Sequence, residues 1–370
     1  MAMYLPLSHS FQALAAQALS SARNAIYCLG ISLFACSGVH AAQSAVVVLY
    51  HHVSDDTPAS TSISPERFEA HMQLLANEGY TVVSLPELLQ DLKSEQTVPD
   101  KAVAITFDDG YSSIYDTAFP MLQSFGYPFT VFINTQPIND QLGGYMSWEQ
   151  IRAMSDAGVT IANHMVNHPH MIDPIGDETN NQRLERLEQE LLQAQAEIKR
   201  ETGQDHRFMA YPYGEYDSDI KALLQKLDFE AFGQQSGAIG PQSDFLALPR
   251  FPFGGNYVEI GDFRQKTQTL AFDVRNVTPQ SPITADTSPD VRLQFMPADY
   301  HINELACYAG GQPMTMNWLD KAAGIVSLST DQEFRSRRFR YLCTAPHLSE
   351  RSRYYWYSKD WTRSTPSNQD

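Results

Sequence analysis

The chain has 370 residues with 43% hydrophobic and 19% charged side chains, which are the proportions of a globular protein and exclude a disordered one. Its 26 basic and 43 acidic residues give a net charge of -17, which excludes nucleic acid as an expected partner because a phosphate backbone requires clustered Lys and Arg. The length exceeds what one hydrophobic core usually organises, and two domains are therefore expected.

Residues 1–42 have the pattern of a cleaved export signal. Arg23 is the only charged residue before Asp55, the apolar run 25–35 follows it, and Ala41 ends a short small-residue segment suited to a signal peptidase. The run is shorter than the roughly 20 apolar residues that a membrane-spanning helix needs, which favours cleavage. The alternative is a buried N-terminal helix. The signal predicts an exported protein, periplasmic or extracellular.

A lipid anchor is a second interpretation of the same segment. Residues 33–36 resemble a lipobox ending at Cys36, whose acylation would provide the only membrane contact that we expect. Of the four cysteines, Cys28 and Cys36 fall inside the signal, so Cys307 and Cys343 remain in the mature chain. In an oxidising compartment such a pair predicts a disulfide.

Strands and helices alternate along residues 45–235. Buried strands are predicted at 45–50, 82–83, 101–107, 129–133, 159–162 and 209–211, and helices from Ser64 to Leu75 and at 85–92, 114–125, 148–157, 181–202 and 220–227. This alternation predicts a parallel sheet, either doubly wound or closed into a barrel.

The pattern changes from about residue 269. Short strands separated by Pro, Gly, Asn and Asp are predicted at 269–274, 291–295, 324–328 and 339–343. They indicate a small all-β domain over residues 269–370.

Candidate site residues follow the predicted strands of the α/β part. Asp108 and Asp109 end one strand, and His164 and Tyr213 each follow another, at the edge where active residues of parallel sheets lie. His164 and His168 have the i, i+4 spacing that places two imidazoles on one face of a helical turn. With Asp109 they form the two-His, one-carboxylate set that binds Zn²⁺ or another divalent transition metal. A lone HxxxH pattern often arises by chance, and His170 is an alternative ligand.

Three of these segments resemble a known family. Residues 106–110, 164–168 and 210–214 resemble, in order, the first three motifs of the polysaccharide deacetylase family, the NodB-homology domain of carbohydrate esterase family 4. Residues 49–53 and 248–252 are similar to the branch that contains the poly-β-1,6-N-acetylglucosamine deacetylases of biofilm export. The resemblance covers about residues 45–260 and implies an α/β fold, a NodB-type distorted (β/α) barrel over residues 43–268, before the β domain.

The resemblance also implies a function and a mechanism. The protein is expected to remove N-acetyl groups from an N-acetylglucosamine-containing polysaccharide of the envelope or biofilm matrix, using a divalent metal, Zn²⁺ or alternatively Co²⁺ or Ni²⁺. Asp109, His164 and His168 would bind the metal, Asp108 would be the general base, and the backbone N–H of Tyr213 would help to hold the oxyanion.

The general acid is expected next to the first strand. His51 would protonate the leaving amine, with His52 as its rival because neighbouring residues of a strand point to opposite faces. Two departures from the family pattern stand out: Met165 replaces the usual Ser or Thr, and Ala210 replaces the arginine that orients the base. We hypothesise that Arg250 supplies this missing guanidinium; the alternative is a surface or structural ion pair.

Several alternatives remain open from the sequence. They are a catalytically inactive glycan-binding protein of the same fold, a deacetylase of chitin oligomers or peptidoglycan, and a hydrolase of small cyclic amides. Trp148 either lines a sugar subsite or belongs to the core. The same choice applies to the aromatic residues of the β domain, Trp318, Tyr354, Tyr355, Trp356 and Trp361. Which N-acetylglucosamine-containing polysaccharide is the substrate, which of the three metals the cell uses and what the oligomeric state is stay open from the sequence.

Overall fold

The computed structural model of the chain describes residues 44–363. The signal predicted for residues 1–42 and the candidate lipidation site at Cys36 lie outside these residues. None of the helices within residues 44–363 has the length and the apolar character needed to span a bilayer.

Strands and α-helices follow one another along residues 44–363. The strands are β1 (Ala45–Tyr50), β2 (His52–Val53), β3 (Ser62–Ile63), β4 (Thr81–Val82), β5 (Ala102–Phe107), β6 (Phe129–Ile133), β7 (Thr160–Asn163), β8 (Phe208–Ala210), β9 (Glu230–Phe232), β10 (Ala238–Ile239), β11 (Phe251–Pro252), β12 (Leu270–Ala271), β13 (Val274–Thr278), β14 (Ile283–Thr284), β15 (Val291–Phe295), β16 (Ala306–Ala309), β17 (Gln312–Pro313), β18 (Thr315–Asp320), β19 (Ile325–Ser329), β20 (Arg338–Pro346) and β21 (Tyr354–Arg363). The α-helices are α1 (Pro65–Asn77), α2 (Leu85–Lys93), α3 (Phe119–Phe125), α4 (Thr135–Asn139), α5 (Trp148–Asp156), α6 (Asn180–Thr202), α7 (Ser218–Lys226) and α8 (Ile260–Thr267).

A nine-stranded sheet organises the first part of the described chain. Its order is β10-β1-β5-β6-β7-β8-β9, with β11 also paired to β1 and β4 to β5, and the strands from β1 to β9 along this path are parallel. The sheet curls into a half-barrel, which is consistent with the distorted barrel that the family resemblance implied. Because the carboxyl ends of β5, β7 and β8 share one edge, the residues that follow these strands lie near one another.

Strand β1 is buried on both of its faces, which accounts for its continuous apolar sequence. All six of its residues are buried; Val46, Val48 and Tyr50 pack into the core cluster on one face, and Ala45 and Val47 into the cluster on the other. Period-two alternation disappears where both faces of a parallel sheet are covered.

Two further sheets follow the half-barrel. One has the order β12-β21-β20-β16-β17 with β14 on β21, and the other has the order β13-β15-β19-β18. The all-β character was predicted correctly, but the predicted strand 269–274 is interrupted between β12 and β13, and β21 was not predicted. The division of the chain into domains at residue 269 remains a prediction, since residues 44–363 all belong to one compact unit.

The disulfide and the aromatic core of the second part agree with the sequence analysis. Cys307 and Cys343 are bonded and lie directly opposite each other on β16 and β20. Trp361 and Tyr355 are 1% and 3% exposed within a single apolar cluster, so both belong to the core. For these two residues the core interpretation is therefore correct.

His71 makes the stability of the half-barrel depend on pH. Its ring is fully buried on α1, where it stacks on Phe263 at 3.9 Å, and its two nitrogens contact the Tyr50 hydroxyl (2.9 Å) and the Val258 carbonyl (3.0 Å). Burial lowers the pKa of His71 to about 4, against the partly opposing hydrogen bond to Val258. His71 therefore stays neutral in the fold while it ionises near pH 6.5 in the unfolded chain.

We expect the folded state to lose stability as the pH falls below 6.5 through this residue. A folded pKa below the unfolded one means that the contribution is complete above pH 6.5 and disappears towards pH 4, at about 1.4 kcal/mol per pH unit, or about 2 kcal/mol by pH 5. Urea unfolding at pH 7, 6 and 5 should show a shallower pH slope for His71→Gln than for the wild type. The partly exposed His301, changed to Gln, should keep the wild-type slope. Equal slopes for the wild type and His71→Gln would refute the assignment.

Candidate metal centre and active-site cleft

Adjacent carboxylates end the central strand β5 and point to different surroundings. Asp108 is fully buried, whereas Asp109 is 8% exposed and lines a cleft. The chain turns sharply here because Asp109 and Gly110 both have left-handed backbones, with φ of 73° and 80°. A Cβ at Gly110 would lie 3.0 Å from the Ile133 side chain, so glycine fits both the turn and the space. The sequence Asp-Asp-Gly thus separates the two carboxylates.

The predicted helical turn at residues 164–168 is wrong, although its two histidines do meet. These residues form a loop after β7, in which Met165 and His168 have φ of 69° and 52°. The Asn163 side chain accepts a hydrogen bond from the Met165 N–H at 2.8 Å, a local contact that competes with helix formation. The rings of His164 and His168 still approach to 4.7 Å between centroids.

Three ligand atoms converge where the metal site was predicted. The Nε2 atoms of His164 and His168 lie 3.3 Å and 3.4 Å from the same oxygen, Oδ1 of Asp109. All three atoms lie within 4.8 Å of one another, a spacing that one metal ion can bridge. His170, the alternative ligand, instead contacts the Glu215 carboxylate through Nδ1 at 3.0 Å.

The protonation of His164 indicates that a cation belongs at this position. Its Nδ1 lies 2.8 Å from the Ala210 carbonyl, which only accepts, so Nδ1 carries a proton, and in the neutral ring Nε2 presents a lone pair to the Asp109 carboxylate. Nε2 is buried and has no hydrogen-bond partner. Two acceptors that face each other repel unless a positive charge lies between them, which either a proton on Nε2 or a metal ion supplies, and the residues therefore fit a metal ion.

The pKa shifts of His164 and His168 also fit a cation at this position. Burial lowers the pKa of His164, but Asp108 and Asp109 outweigh burial and raise it, so the pocket favours a positive charge here. Burial, followed by the nearby His164, lowers the pKa of His168 to about 4. At neutral pH His168 is neutral, which is the form that binds a metal.

Arg250 contacts Asp108 in the way that the hypothesis required. Its Nη1 and Nη2 donate to Oδ1 and Oδ2 of Asp108, each at 2.7 Å, in a pair whose side chains are both 0% exposed. Nε also donates to the Gly233 carbonyl at 3.0 Å. Burial would raise the pKa of Asp108, but Arg250 and then His164 outweigh it and lower this pKa. Asp108 is accordingly an oriented, ionised carboxylate, and the surface alternative for Arg250 does not apply.

Tyr213 lies in a tight turn after β8 with an unusual backbone. Its φ of 57° and ψ of 3° are left-handed values that cost a non-glycine residue on the order of 1–2 kcal/mol. Its ring stacks on His170 at 3.9 Å and meets the edge of His168 at 4.4 Å. These contacts hold the third predicted motif beside the candidate metal ligands.

The two histidines after β1 have different environments. His51 lines the cleft together with Asp109 and His168. His52 is 7% exposed and stacks on Tyr111 with 3.7 Å between ring centroids. His51 lies between β1 and β2, and its place in the cleft favours it over His52 as the general acid, which stays a prediction.

A cleft of about 790 Å³ is lined by Asp109, His168, His51 and Tyr213. Most of its lining residues were not predicted from the sequence, among them Asn134, whose buried Oδ1 has no hydrogen-bond partner, and Arg338, which comes from β20. No sequence pattern marks Arg338, because the pairing of distant strands determines its position. Trp148 does not line the cleft; its Nε1 donates to Asn139 at 2.8 Å while its ring packs against the core.

Comparisons with known proteins show which family this fold and site resemble. The family model for polysaccharide deacetylases matches residues 95–232. That segment contains Asp108, Asp109, His164, His168 and Tyr213, while His51 and Arg250 lie outside it. Over residues 95–232 the chain is thus similar to the polysaccharide deacetylase family.

Particular relatives and one solved structure support this assignment. The poly-β-1,6-N-acetyl-D-glucosamine N-deacetylase of Escherichia coli (strain K12) is 23% identical over 260 residues, which are 61% of this chain and 38% of that protein. The enzyme of the same name from Staphylococcus epidermidis is 24% identical over 229 residues, 56% of this chain and 78% of that protein. The structure of IcaB from Ammonifex degensii matches with a TM-score of 0.53 and 26% identity, covering 61% of this chain and 96% of that one.

Proposed function

We propose that the protein is a metal-dependent N-deacetylase that acts on an N-acetylglucosamine-containing polysaccharide, of the poly-β-1,6-linked type. One observation carries the proposal: the ligand atoms of Asp109, His164 and His168 converge beside the buried Asp108–Arg250 pair at an open cleft. Pure glycan binding would not require an ionised carboxylate next to a metal set. The names of the Escherichia coli and Staphylococcus epidermidis relatives support the choice of polymer.

Each group in the cleft has one task in this proposal. A divalent ion held by Asp109, His164 and His168 would polarise the acetamide carbonyl and lower the pKa of the attacking water. Asp108 accepts the proton of that water as general base, held in orientation by Arg250. The backbone N–H of Tyr213 donates to the oxygen that becomes negatively charged.

The reaction ends when the carbon–nitrogen bond breaks. His51 donates a proton to the nitrogen as this bond breaks, which releases acetate and leaves a free amine on the sugar. Asp108 then releases the proton that it accepted and His51 takes one up from solvent, so that both groups return to their initial states. Water is the only co-reactant, so the sequence balances as a hydrolysis.

The remaining parts of the proposal concern location, metal and domains. We infer export to the periplasm or the cell exterior from the signal pattern, and the bonded pair Cys307–Cys343 fits an oxidising compartment. Zn²⁺ is the proposed metal because the ligand set has two imidazoles and one carboxylate; Co²⁺ and Ni²⁺ suit the same donors. The β-rich part from residue 269 is proposed to be an accessory domain.

Acetate release tests the proposed function. Purified protein loaded with Zn²⁺, Co²⁺ or Ni²⁺ is incubated with β-1,6-linked N-acetylglucosamine oligomers, chitooligosaccharides or peptidoglycan, and acetate is measured enzymatically. We expect release from the β-1,6-linked oligomers. Release only from another substrate would change the polymer assignment, and binding without any release would favour the inactive glycan-binding alternative.

Metal binding is tested separately by thermal unfolding of the metal-free protein. At a Zn²⁺ concentration one hundred times its Kd, we expect a stabilisation of about 2.7 kcal/mol, seen as a higher Tm. His168→Gln should abolish most of this shift, because it removes one of three ligands. His301→Gln, which changes a histidine outside the cleft, should retain it. A Zn²⁺-dependent shift that is unchanged in His168→Gln would contradict the assigned ligand set.

A further inference from the structure

Two consecutive arginines of the β-rich part reach the loop that carries Tyr213. Arg337 and Arg338 stand at the start of β20, more than 120 residues after this loop in the chain. Neither was identified as a site residue from the sequence. Their contacts differ, and the difference indicates what each does.

Arg337 fastens the start of β20 to the loop. Its Nε and Nη2 donate to the two oxygens of Glu215 at 2.7 Å and 2.8 Å, and Nη2 also contacts Asp173 at 2.9 Å. The Glu215 side chain is 0% exposed and receives a further contact from His170. This buried, bidentate ion pair between Arg337 and Glu215 restricts the movement of the start of β20 relative to the loop.

Arg338 acts on Tyr213 itself. Its Nη1 donates to the Tyr213 carbonyl at 2.7 Å, and its guanidinium lies 5.5 Å from the centroid of the Tyr213 ring. The Arg338 side chain is 41% exposed and lines the cleft. A left-handed tyrosine persists only where its surroundings hold it, and Arg338 supplies one of these restraints.

We propose that Arg338 is a positioning residue for the deacetylation: by holding the carbonyl of Tyr213 it fixes the backbone whose N–H is the oxyanion donor. The inference rests on the proposed function for the role of that N–H, and it makes the β-rich part of the chain a component of the active site. Displacement of an oxyanion donor by a fraction of an ångström lowers the rate of the chemical step more than substrate affinity.

The variants Arg338→Met, Arg338→Lys and Arg335→Met of the full chain test this role. Methionine keeps the length of the side chain and removes every donor, whereas lysine retains one donor for the Tyr213 carbonyl. Arg335 is the control because its side chain is 84% exposed and pairs only with Glu333 among the described residues. We expect kcat for acetate release to fall by about 30-fold in Arg338→Met, with KM within threefold, to recover partly in Arg338→Lys and to remain unchanged in Arg335→Met.

A second measurement does not depend on catalysis. The N–H groups of Gly214 and Glu215 donate to the carbonyls of Tyr211 and Pro212 within the turn. Hydrogen exchange of these amides should accelerate in Arg338→Met and not in Arg335→Met, while Tm stays close to that of the wild type.

The outcomes separate the two proposals. If wild-type protein released no acetate from any substrate, the proposed function would fail, and the exchange rates would still decide whether Arg338 restrains the turn. Unchanged exchange, an unchanged kcat, or a higher KM with normal kcat would each overturn the positioning role. A fall in kcat that only accompanies a lower Tm would overturn it as well.

Discussion

Asp108→Asn is expected to lower kcat for acetate release by about 10³-fold, the largest effect of a single substitution that leaves the metal ligands in place. Asparagine has nearly the same shape as aspartate but cannot accept the proton of the attacking water. The metal content, measured by mass spectrometry, should stay near that of the wild type because Asp109, His164 and His168 are unchanged. KM should change little.

The control for this substitution is Asp116→Asn, which removes an exposed carboxylate outside the cleft and should keep full activity. Circular dichroism of both variants would verify that they are folded at the assay temperature. If Asp108→Asn retained more than a tenth of the wild-type kcat with a full complement of metal, Asp108 would not be the general base.

Arg250→Met is expected to destabilise the fold by about 3–5 kcal/mol and to lower kcat strongly. It leaves Asp108 as a buried charge without its bidentate partner, and the cost of an uncompensated buried charge exceeds the value of the contact itself. The measurement is urea unfolding at pH 7 together with acetate release. Arg275→Met, which breaks the solvent-exposed pair between Arg275 and Asp273, should leave the free energy of unfolding close to that of the wild type.

A double-mutant cycle identifies why Arg250→Met lowers the free energy of unfolding. In an Asp108→Asn background, no buried carboxylate remains to be neutralised, so Arg250→Met should cost clearly less than in the wild type. If Arg250→Met lowered the free energy of unfolding equally in the two backgrounds, Arg250 would stabilise the fold through its contacts with Gly233 and Thr106 instead. Unaltered turnover in Arg250→Met would refute its part in orienting the base.

Local patterns accounted for much of the half-barrel. Continuous apolar runs predicted β1 and β5 because strands covered on both faces need no alternation. Ser64 before Pro65 marked the start of α1, since its side chain accepts the Arg67 N–H at 3.2 Å. Because these patterns depend only on neighbouring residues, the secondary structure that they predict also forms in the folded protein.

The predictions of secondary structure were wrong at positions where contacts with a distant part of the chain determine the local conformation. The spacing of His164 and His168 resembled a helical turn, yet the carbonyls of Met165 and Val166 accept hydrogen bonds from the start of α4, and the segment is a loop. Strand β21 was missed because its burial pattern is irregular and it gains its pairing from β20. Tertiary contacts override weak local preference in both cases.

The sequence by itself determined the order of the elements, the pair Asp108-Asp109 at a strand end, the two histidines and the pairing of Cys307 with Cys343, because spacing and residue type carry this information. The tertiary structure alone decided which guanidinium reaches which backbone or carboxylate. Arg250 contacts Asp108 across 142 residues, and Arg338 contacts Tyr213 across 125. Sheet pairing and the packing of the β-rich part against the half-barrel create these contacts, and neither is encoded in a local pattern.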